Sequence, residues 1–324
     1  MADKLTIGIL TSGGDAPGMN PAIRAVVRTA LANDMPAIGV LNGYEGLMNG
    51  EFKPFGARDV GGILQRGGTV LMTSRSPRFM EPAGQRAAIR KMNEAGMGAL
   101  VVIGGEGSLS GAYALSKQGV KVIGIPGSID NDIWGTNIAI GTDTAMNTIM
   151  EAVDKLRDTA SSHQRAFVIE TMGRHSGYLA VMAGIVSGAE MVLIPEVPST
   201  VEEVVAAVEK AYMRGKTHAI IIVAEGANIH TTDLAAVFDK MDVGFKTRMI
   251  ILGHIQRGGS PTAYDRLLAS RMGVRAVEAL VEGTHGVMTG LKGREVEFVP
   301  LSDVISNKRQ VNAEYYRMAE ILAR

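Results

Sequence analysis

Two acidic residues that stand close together are the first candidates for chemistry in this sequence. Asp130 and Asp132 follow the apolar run 122–125, in the segment 126–132 that reads Pro-Gly-Ser-Ile-Asp-Asn-Asp. Two carboxylates at this spacing repel each other unless a cation or a bound proton separates their roles. A general base beside a Mg²⁺ ligand would use such a pair. The alternative is an Asx turn that caps the following segment.

Glycine-rich turns follow two other apolar runs. Residues 11–20 read Thr-Ser-Gly-Gly-Asp-Ala-Pro-Gly-Met-Asn, and residues 104–108 read Gly-Gly-Glu-Gly-Ser. Glycine lets a backbone wrap closely around an anion, and the N-terminus of a following helix adds partial positive charge. The Gly-Gly pair of the first turn alone is better explained as a tight connection, but two such turns favour phosphate binding. Glu106 is then a candidate ligand for Mg²⁺ or a hydroxyl group, with a solvated loop acid as the alternative.

Arginine and histidine lie beside glycine in later segments. Residues 161–165 read Ser-Ser-His-Gln-Arg, and residues 253–259 read Gly-His-Ile-Gln-Arg-Gly-Gly. Arg174 and Glu225 follow two more apolar runs, each next to a glycine. A single arginine is more often part of a surface ion pair, but together these groups suit a bidentate grip on phosphate. With the acidic pair and the glycine turns, they describe phosphoryl transfer between a nucleotide and a phosphorylated acceptor.

The elements that must position these groups are short apolar runs that alternate with amphipathic segments. The runs are continuous, which predicts strands covered on both faces. Strand–helix alternation predicts parallel sheets with right-handed crossovers, and such sheets bind ligands at the carboxyl ends of their strands. The runs are residues 5–10, 37–41, 99–103, 121–125, 166–170, 191–194, 219–224 and 248–252.

Length and composition narrow the class of protein. The 324 residues suffice for two domains. The sequence contains 0 cysteines, which excludes a disulfide scaffold and a cysteine nucleophile. Its 33 basic and 33 acidic residues argue against nucleic-acid binding by bulk charge. Because no apolar run approaches the ~20 residues of a membrane span and no signal peptide is recognisable, we expect a cytoplasmic protein without a membrane partner.

These motifs, and the order in which they follow one another along the chain, resemble those of the bacterial ATP-dependent 6-phosphofructokinases. The resemblance extends over essentially the whole chain. The resemblance implies the glycolytic transfer of the ATP γ-phosphoryl group to the 1-hydroxyl of fructose 6-phosphate, with Mg²⁺. It also implies an α/β fold of two similar three-layer α/β/α domains with mainly parallel sheets. Residues 1–141 plus 254–304 would form the larger ATP-binding domain. Residues 142–253 plus 305–324 would form the smaller sugar-phosphate domain.

The resemblance also implies a role for individual residues. Asp130 would be the base, Asp132 would bind the substrate or the metal region, and Ser128 would support the catalytic set. Arg75 and Arg174 would stabilise charge in the transition state. The ATP site would comprise Gly14, Tyr44, Arg75, Ser76, Phe79, Glu106, Gly107 and Ser108, with Glu106 as the metal ligand. The sugar-phosphate site would comprise Ser128, Asp130, Asp132, Arg165, Met172, Gly173, Arg174, Glu225, Arg248, His254 and Arg257.

Members of this family are tetramers, so the resemblance implies a homotetramer with shared active sites. Arg165 and Arg248 would reach into the site of a neighbouring subunit. An effector site for ADP or phosphoenolpyruvate would use Arg24, Arg28, Arg157, Glu190, Arg214 and Lys216. Arg24 and Arg28 are spaced i and i+4, which is repulsive unless an anion neutralises the pair. Ala57 stands where an effector-binding arginine is common, and a merely basic surface is the alternative.

The sequence departs from the family pattern in ways that bear on activity. Glu106 stands where Asp is usual, and the extra methylene moves its carboxylate by roughly 1–1.5 Å. Ser128 replaces a threonine, and Ser76 replaces an aromatic residue that contacts adenine. Gly107 and Gly127 leave room for ATP where pyrophosphate-dependent relatives carry Asp and Lys. The alternatives are a weakly active or non-catalytic nucleotide-binding regulatory paralogue, or a kinase for another donor or sugar phosphate.

Overall fold

The computed structural model describes residues 5–238, 240–241 and 244–323, and two compact units organise the chain. Unit 1 comprises Met1–Ser128, Ile133–Thr144 and Arg257–Arg309. Unit 2 comprises Ile129–Asp132, Ala145–Gln256 and Gln310–Arg324. The chain therefore passes between the units several times. The assignment of one domain to ATP and the other to the sugar phosphate stays a prediction.

Strands and helices alternate along the described residues. The strands are β1 Thr6–Ser12, β2 Ala37–Val40, β3 Phe52–Phe55, β4 Met97–Gly104, β5 Lys121–Pro126, β6 Arg165–Thr171, β7 Met191–Leu193, β8 Ala219–Ala224, β9 Lys246–Ile251, β10 Val287–Lys292 and β11 Glu295–Pro300. The α-helices are α1 Met19–Ala32, α2 Gly43–Asn49, α3 Pro77–Met80, α4 Pro82–Glu94, α5 Glu106–Ser116, α6 Thr142–His163, α7 Tyr178–Ser187, α8 Val201–Met213, α9 Thr231–Phe238, α10 Ala263–Val281, α11 Leu301–Ser306 and α12 Ala313–Leu322. One 3₁₀ helix spans Gly253–Arg257.

Unit 1 contains a seven-stranded sheet with the order β11-β10-β5-β4-β1-β2-β3. Its inner strands pair in parallel, whereas the edge strands β3 and β11 are antiparallel to their neighbours. Ile9, Leu100 and Ile123 in the middle of the sheet are completely buried. This burial explains why β1, β2, β4 and β5 were visible in the sequence as continuous apolar runs. The predicted mainly parallel α/β architecture is confirmed.

Unit 2 contains a parallel four-stranded sheet with the order β7-β8-β6-β9. All six residues of β8 are buried, as its apolar run predicts. The expectation that every run is covered on both faces is wrong for β9, all six residues of which are partly or fully exposed. The reason is its place at the edge of the sheet, where a charged residue such as Lys246 discourages pairing with another chain.

Local sequence explains where several helices begin. Thr200 and Glu203 form a reciprocal capping box at the start of α8. Gly18, at φ 114°, precedes α1 in a left-handed conformation that suits glycine. In unit 1, α1 packs so closely on α10 that a Cβ on Gly273 would lie only 2.6 Å from Ala25 Cβ. No helix within the described ranges is long and apolar enough to cross a membrane.

Candidate active site

Three turns of unit 1 meet at the carboxyl ends of β1, β4 and β5. A Cβ on Gly104 would lie 2.5 Å from both Ser12 O and Ser108 Oγ, so only glycine fits there. A Cβ on Gly105 would lie 3.8 Å from Ser128 Cβ. The glycine turns and the segment that precedes Asp130 therefore lie side by side, at the edge where open parallel sheets bind ligands.

Arg257 lies directly on the first glycine turn. A Cβ on Gly14 would be 3.1 Å from Arg257 Nη1 and 3.2 Å from its Cζ. Within the described part of the chain, no hydrogen bond or ion pair engages the half-buried Arg257 side chain. A guanidinium held this way presents its donors to an anion. The structure thus brings a residue predicted for the sugar phosphate against one predicted for ATP.

Tyr44 and Phe79 form a buried stack beside the second glycine turn. Their ring centroids are 3.9 Å apart with planes inclined by 12°. Tyr44 Oη donates a 2.6 Å hydrogen bond to Ser108 O, and burial raises the pKa of this phenol. Because Tyr44 is only 4% and Phe79 only 2% exposed, both rings belong to the core of unit 1 and support the turn from beneath.

Ser76 is the N-cap of α3 and stands where an aromatic residue was expected. Its Oγ accepts a hydrogen bond from Phe79 N at 3.3 Å and donates one to Glu45 Oε2 at 2.6 Å. Arg78 also bonds Glu45. The sequence analysis missed Glu45, and only its place in the first turn of α2 offered a signal.

Of the remaining ATP-site candidates, Arg75, Glu106 and Gly107 are exposed to solvent, whereas Ser108 is buried. Glu106 is the exposed first residue of α5, and Arg75 is exposed just before α3. A Cβ on Gly107 would have no neighbour within 4 Å. No cluster of three or more acidic or histidine side chains suited to a metal occurs among the described residues. A single carboxylate is still sufficient for Mg²⁺ that is held mainly by substrate phosphates and water.

Asp130 and Arg174 form an ion pair in unit 2. Asp130 Oδ2 lies 3.6 Å from Arg174 Nε, and Asp130 is only 5% exposed. Asp132 is half-buried. Asn131 between them has φ 51°, a left-handed conformation that asparagine tolerates better than most residues.

Two side chains hold the turn that carries Arg174. Glu225 Oε1 accepts hydrogen bonds from the backbone N–H of Gly173 at 3.1 Å and of Arg174 at 2.7 Å. Gln256 Oε1 accepts one from Met172 N at 3.2 Å. Arg174 itself has φ 53°, a strained conformation that persists only when its surroundings impose it. Glu225 is thus a positioning residue as well as a candidate ligand, and Gln256 was not predicted.

The other predicted sugar-phosphate residues of unit 2 do not all gather at this turn. His254 is exposed in the 3₁₀ helix. Arg165 is the first residue of β6, and Arg248 is paired in register with Phe167 near the same end. Met172 follows the far end of β6, about 20 Å along the strand. Within unit 2, Arg165 and Arg248 therefore lie near the amino ends of their strands, away from the turn of Met172.

Most of the predicted effector residues lie in unit 2. Glu190 is 9% exposed, and its Oε1 lies 2.8 Å from Lys216 Nζ. Arg157 donates to Ser187 O and lies 3.2 Å from His218 Nε2. His218 was missed, although it stands two residues after Lys216.

The other effector candidates are less engaged. In unit 2, Arg214 reaches Ala323 O at 3.5 Å. In unit 1, Arg24 is half-buried and Arg28 exposed, both on α1. No described contact brings either arginine of α1 to an acidic partner.

Mainly parallel sheets with glycine turns and charged side chains at their strand ends define an α/β protein with a candidate anion-binding site. The chain belongs to the phosphofructokinase family, whose family model matches residues 6–280. The predicted resemblance is therefore confirmed.

Curated relatives match nearly the whole chain. The ATP-dependent 6-phosphofructokinase of Thermotoga neapolitana is 49% identical over 318 residues, covering 98% of this chain and 99% of that protein. The ATP-dependent 6-phosphofructokinase 1 of Thermus thermophilus is 49% identical over 320 residues with the same coverage. Among solved structures, phosphofructokinase from Saccharomyces cerevisiae matches with a TM-score of 0.86 and 38% identity. That match covers 94% of this chain, which spans only 45% of the yeast chain.

Proposed function

We propose that this chain transfers the γ-phosphoryl group of ATP to the 1-hydroxyl of fructose 6-phosphate, the glycolytic step that forms fructose 1,6-bisphosphate. The observation that carries the proposal is 49% identity, over 98% of the chain, to a relative named for this activity. The motifs at the strand ends support it, because they supply the groups that phosphoryl transfer needs. Since these metabolites are soluble in the cytoplasm, we place the enzyme there.

On the acceptor side, Asp130 takes the proton of the 1-hydroxyl as that oxygen attacks the γ-phosphorus of ATP, whose bond to the bridging oxygen breaks so that ADP leaves. Its burial and its 3.6 Å contact with Arg174 hold the carboxylate in one place. Arg174 then stands next to the charge that develops on the transferring group. Ser128 and Asp132 orient the sugar, while Arg257 and His254 bind its phosphate together with the turn of Met172 and Gly173.

On the donor side, the two glycine turns and the N-terminus of α5 bind the ATP phosphates. Arg75 neutralises their charge. Gly107 keeps open the space that the α-phosphate needs, since nothing lies within 4 Å of its Cβ position. Glu106 fits a Mg²⁺ ligand because its exposed carboxylate offers the hard oxygen that this ion prefers. When bound, the ion would shield the phosphate charge.

The enzyme is proposed to work as a homotetramer with shared active sites. Support comes from Arg165 and Arg248, which lie near the amino ends of β6 and β9, away from Met172 at the other end of β6. This separation would let them reach the active site of a neighbouring subunit. The cluster of Arg157, Glu190 and Lys216, with Arg214 and the arginines of α1, is the proposed site for ADP or phosphoenolpyruvate.

A coupled assay of fructose 1,6-bisphosphate formation tests the proposal. Wild type and Glu106→Asp are compared with Mg-ATP, Mn-ATP and Mg-pyrophosphate as donors. We expect robust turnover with Mg-ATP and little with pyrophosphate. Turnover with pyrophosphate alone would overturn the choice of donor, and no turnover of wild type with any donor would overturn the activity.

A further inference from the structure

Asp265 is a buried acid to which the proposed mechanism gives no role. It lies on α10 in unit 1 and is 0% exposed. Its Oδ1 accepts a hydrogen bond from Gly141 N at 2.9 Å. Its Oδ2 accepts two from Thr144, from the backbone N at 2.8 Å and from Oγ1 at 2.6 Å. A buried carboxylate that is this fully engaged fixes the groups that donate to it.

Around Asp265, the N-terminal ends of α6 and α10 cap each other. Asp265, on α10, accepts from Thr144 N in the first turn of α6. In return, Thr262, the N-cap of α10, donates through Oγ1 to Asp143 Oδ2 of α6 at 2.6 Å. Thr262 N also donates to Thr144 Oγ1 at 3.0 Å. Because helix starts leave backbone N–H groups without partners, this exchange satisfies both ends at once.

The segment held by Asp265 in turn holds the turn after β5. Ser128 N donates to Ile140 O at 3.0 Å, and Ser128 O accepts from Thr142 Oγ1 at 3.0 Å. Both backbone polar groups of Ser128 are therefore fixed by residues 140–142. Ser128 is two residues before Asp130, so its position sets where the backbone of the proposed base begins.

Close packing prevents this segment from shifting by itself. A Cβ on Gly141, which has φ 102°, would lie 2.6 Å from Ala16 Cβ in the first glycine turn. A Cβ on Gly18 would lie 2.5 Å from Ile140 Cγ2. The segment is thus wedged between the glycine turn and the turn of Ser128.

We infer that Asp265 is a positioning residue for catalysis, acting through Gly141–Thr144 on Ser128 and hence on the backbone that carries Asp130. It touches no substrate in this scheme. The kinetic consequence rests on the proposed function, whereas the structural coupling between Asp265 and Ser128 does not.

The first test compares Asp265→Asn with a control on the same helix. The amide is close in size, but its Nδ2 would face either Gly141 N–H or the two Thr144 donors. Since displacement by about 1 Å can cost ~100-fold, we expect kcat to fall by about 10- to 100-fold while the KM for ATP stays near the wild-type value. Met272→Ala is the control, because Met272 is also 0% exposed on α10 but takes no part in the network. It should lower Tm without lowering kcat.

The second test distinguishes loss of the hydrogen bond between Thr142 and Ser128 from general destabilisation of the fold. Thr142→Val removes the hydroxyl that bonds Ser128 O, and Thr142→Ser keeps it. Trp134 is the single tryptophan of the sequence and lies half-buried in unit 1, six residues after Ser128. Its fluorescence therefore reports on this part of the chain. We expect Thr142→Val to lower kcat, shift the emission of Trp134 and speed hydrogen exchange in residues 126–132. Thr142→Ser should match wild type in all three.

The positioning role of Asp265 is refuted if kcat falls no further in Asp265→Asn than in Met272→Ala. It is also refuted if Thr142→Val leaves the emission of Trp134 and hydrogen exchange in residues 126–132 unchanged. Should Asp265→Asn fail to fold, the Thr142 pair decides. Emission and exchange are measured without substrate, for Asp265→Asn as well as for the Thr142 pair, so they test the coupling even if wild type lacked the proposed activity, which would overturn only the proposed function.

Discussion

Replacing Gly14 by alanine is expected to weaken the binding of fructose 6-phosphate more than that of ATP. Gly14 belongs to a turn predicted to bind ATP, so the intuitive outcome is the reverse. The structure, however, places the guanidinium of Arg257 on the face where the new methyl group would lie, 3.1 Å from Nη1. The added side chain must therefore push Arg257 aside, and Arg257 is the proposed ligand of the sugar phosphate.

The size of the effect follows from the geometry. An ordinary Cβ contact lies at 3.4–4 Å, so Arg257 must retreat by several tenths of an ångström. If 1 Å of misplacement costs ~100-fold, the KM for fructose 6-phosphate should rise by roughly 4- to 60-fold. This corresponds to about 1–2.5 kcal/mol of binding free energy. Backbone strain adds nothing to the change, since Gly14 is not among the residues with positive φ.

Steady-state kinetics with each substrate varied in turn measure the effect. Gly107→Ala is the matched control, because no atom lies within 4 Å of its Cβ position. It should raise the KM for ATP and leave that for fructose 6-phosphate unchanged. If Gly14→Ala raises the KM for ATP alone, the reasoning from Arg257 is refuted.

Three further predictions address the base, the ion pair of buried Glu190 with half-exposed Lys216, and pH dependence. Asp130→Ala should abolish turnover with ATP binding near normal by calorimetry; a normal rate would rule out Asp130 as the base. Lys216→Met should lower the free energy of unfolding by about 1–3 kcal/mol in urea titrations, because it strands the buried Glu190 carboxylate; an unchanged midpoint would contradict this. Burial, followed by the charge of Arg157, lowers the pKa of His218 below its usual 6.5. The unfolded chain then binds more protons below pH 6.5, so stability should fall as pH drops from there; His218→Asn should flatten that fall, and an unaltered pH dependence would contradict it.

The strands that were predicted from sequence are mainly those whose burial leaves a local trace. Each continuous apolar run became a strand, and the inner parallel strands among them are covered on both faces. The edge strands β3 and β11 were missed because they lack such a run, and the inner strand β10 was missed because Thr289 and Gly290 interrupt its buried stretch. β3 contains Pro54 at a sheet edge, and β11 alternates Glu295 and Glu297 with partly buried residues. Their pairing is settled by neighbours far away in the sequence.

The candidate site divides in the same way. Residue types and spacing along the chain determined by themselves that glycine turns, an acidic pair and candidate phosphate-binding arginines follow strands of a parallel α/β protein. Only the tertiary structure decided that Arg257 packs on Gly14 and that Glu225 holds the turn of Arg174. Asp265, 121 residues from Thr144, was equally invisible. Local periodicity records which face of an element is buried, whereas contacts between distant side chains depend on sheet order and register, which no short stretch of sequence encodes.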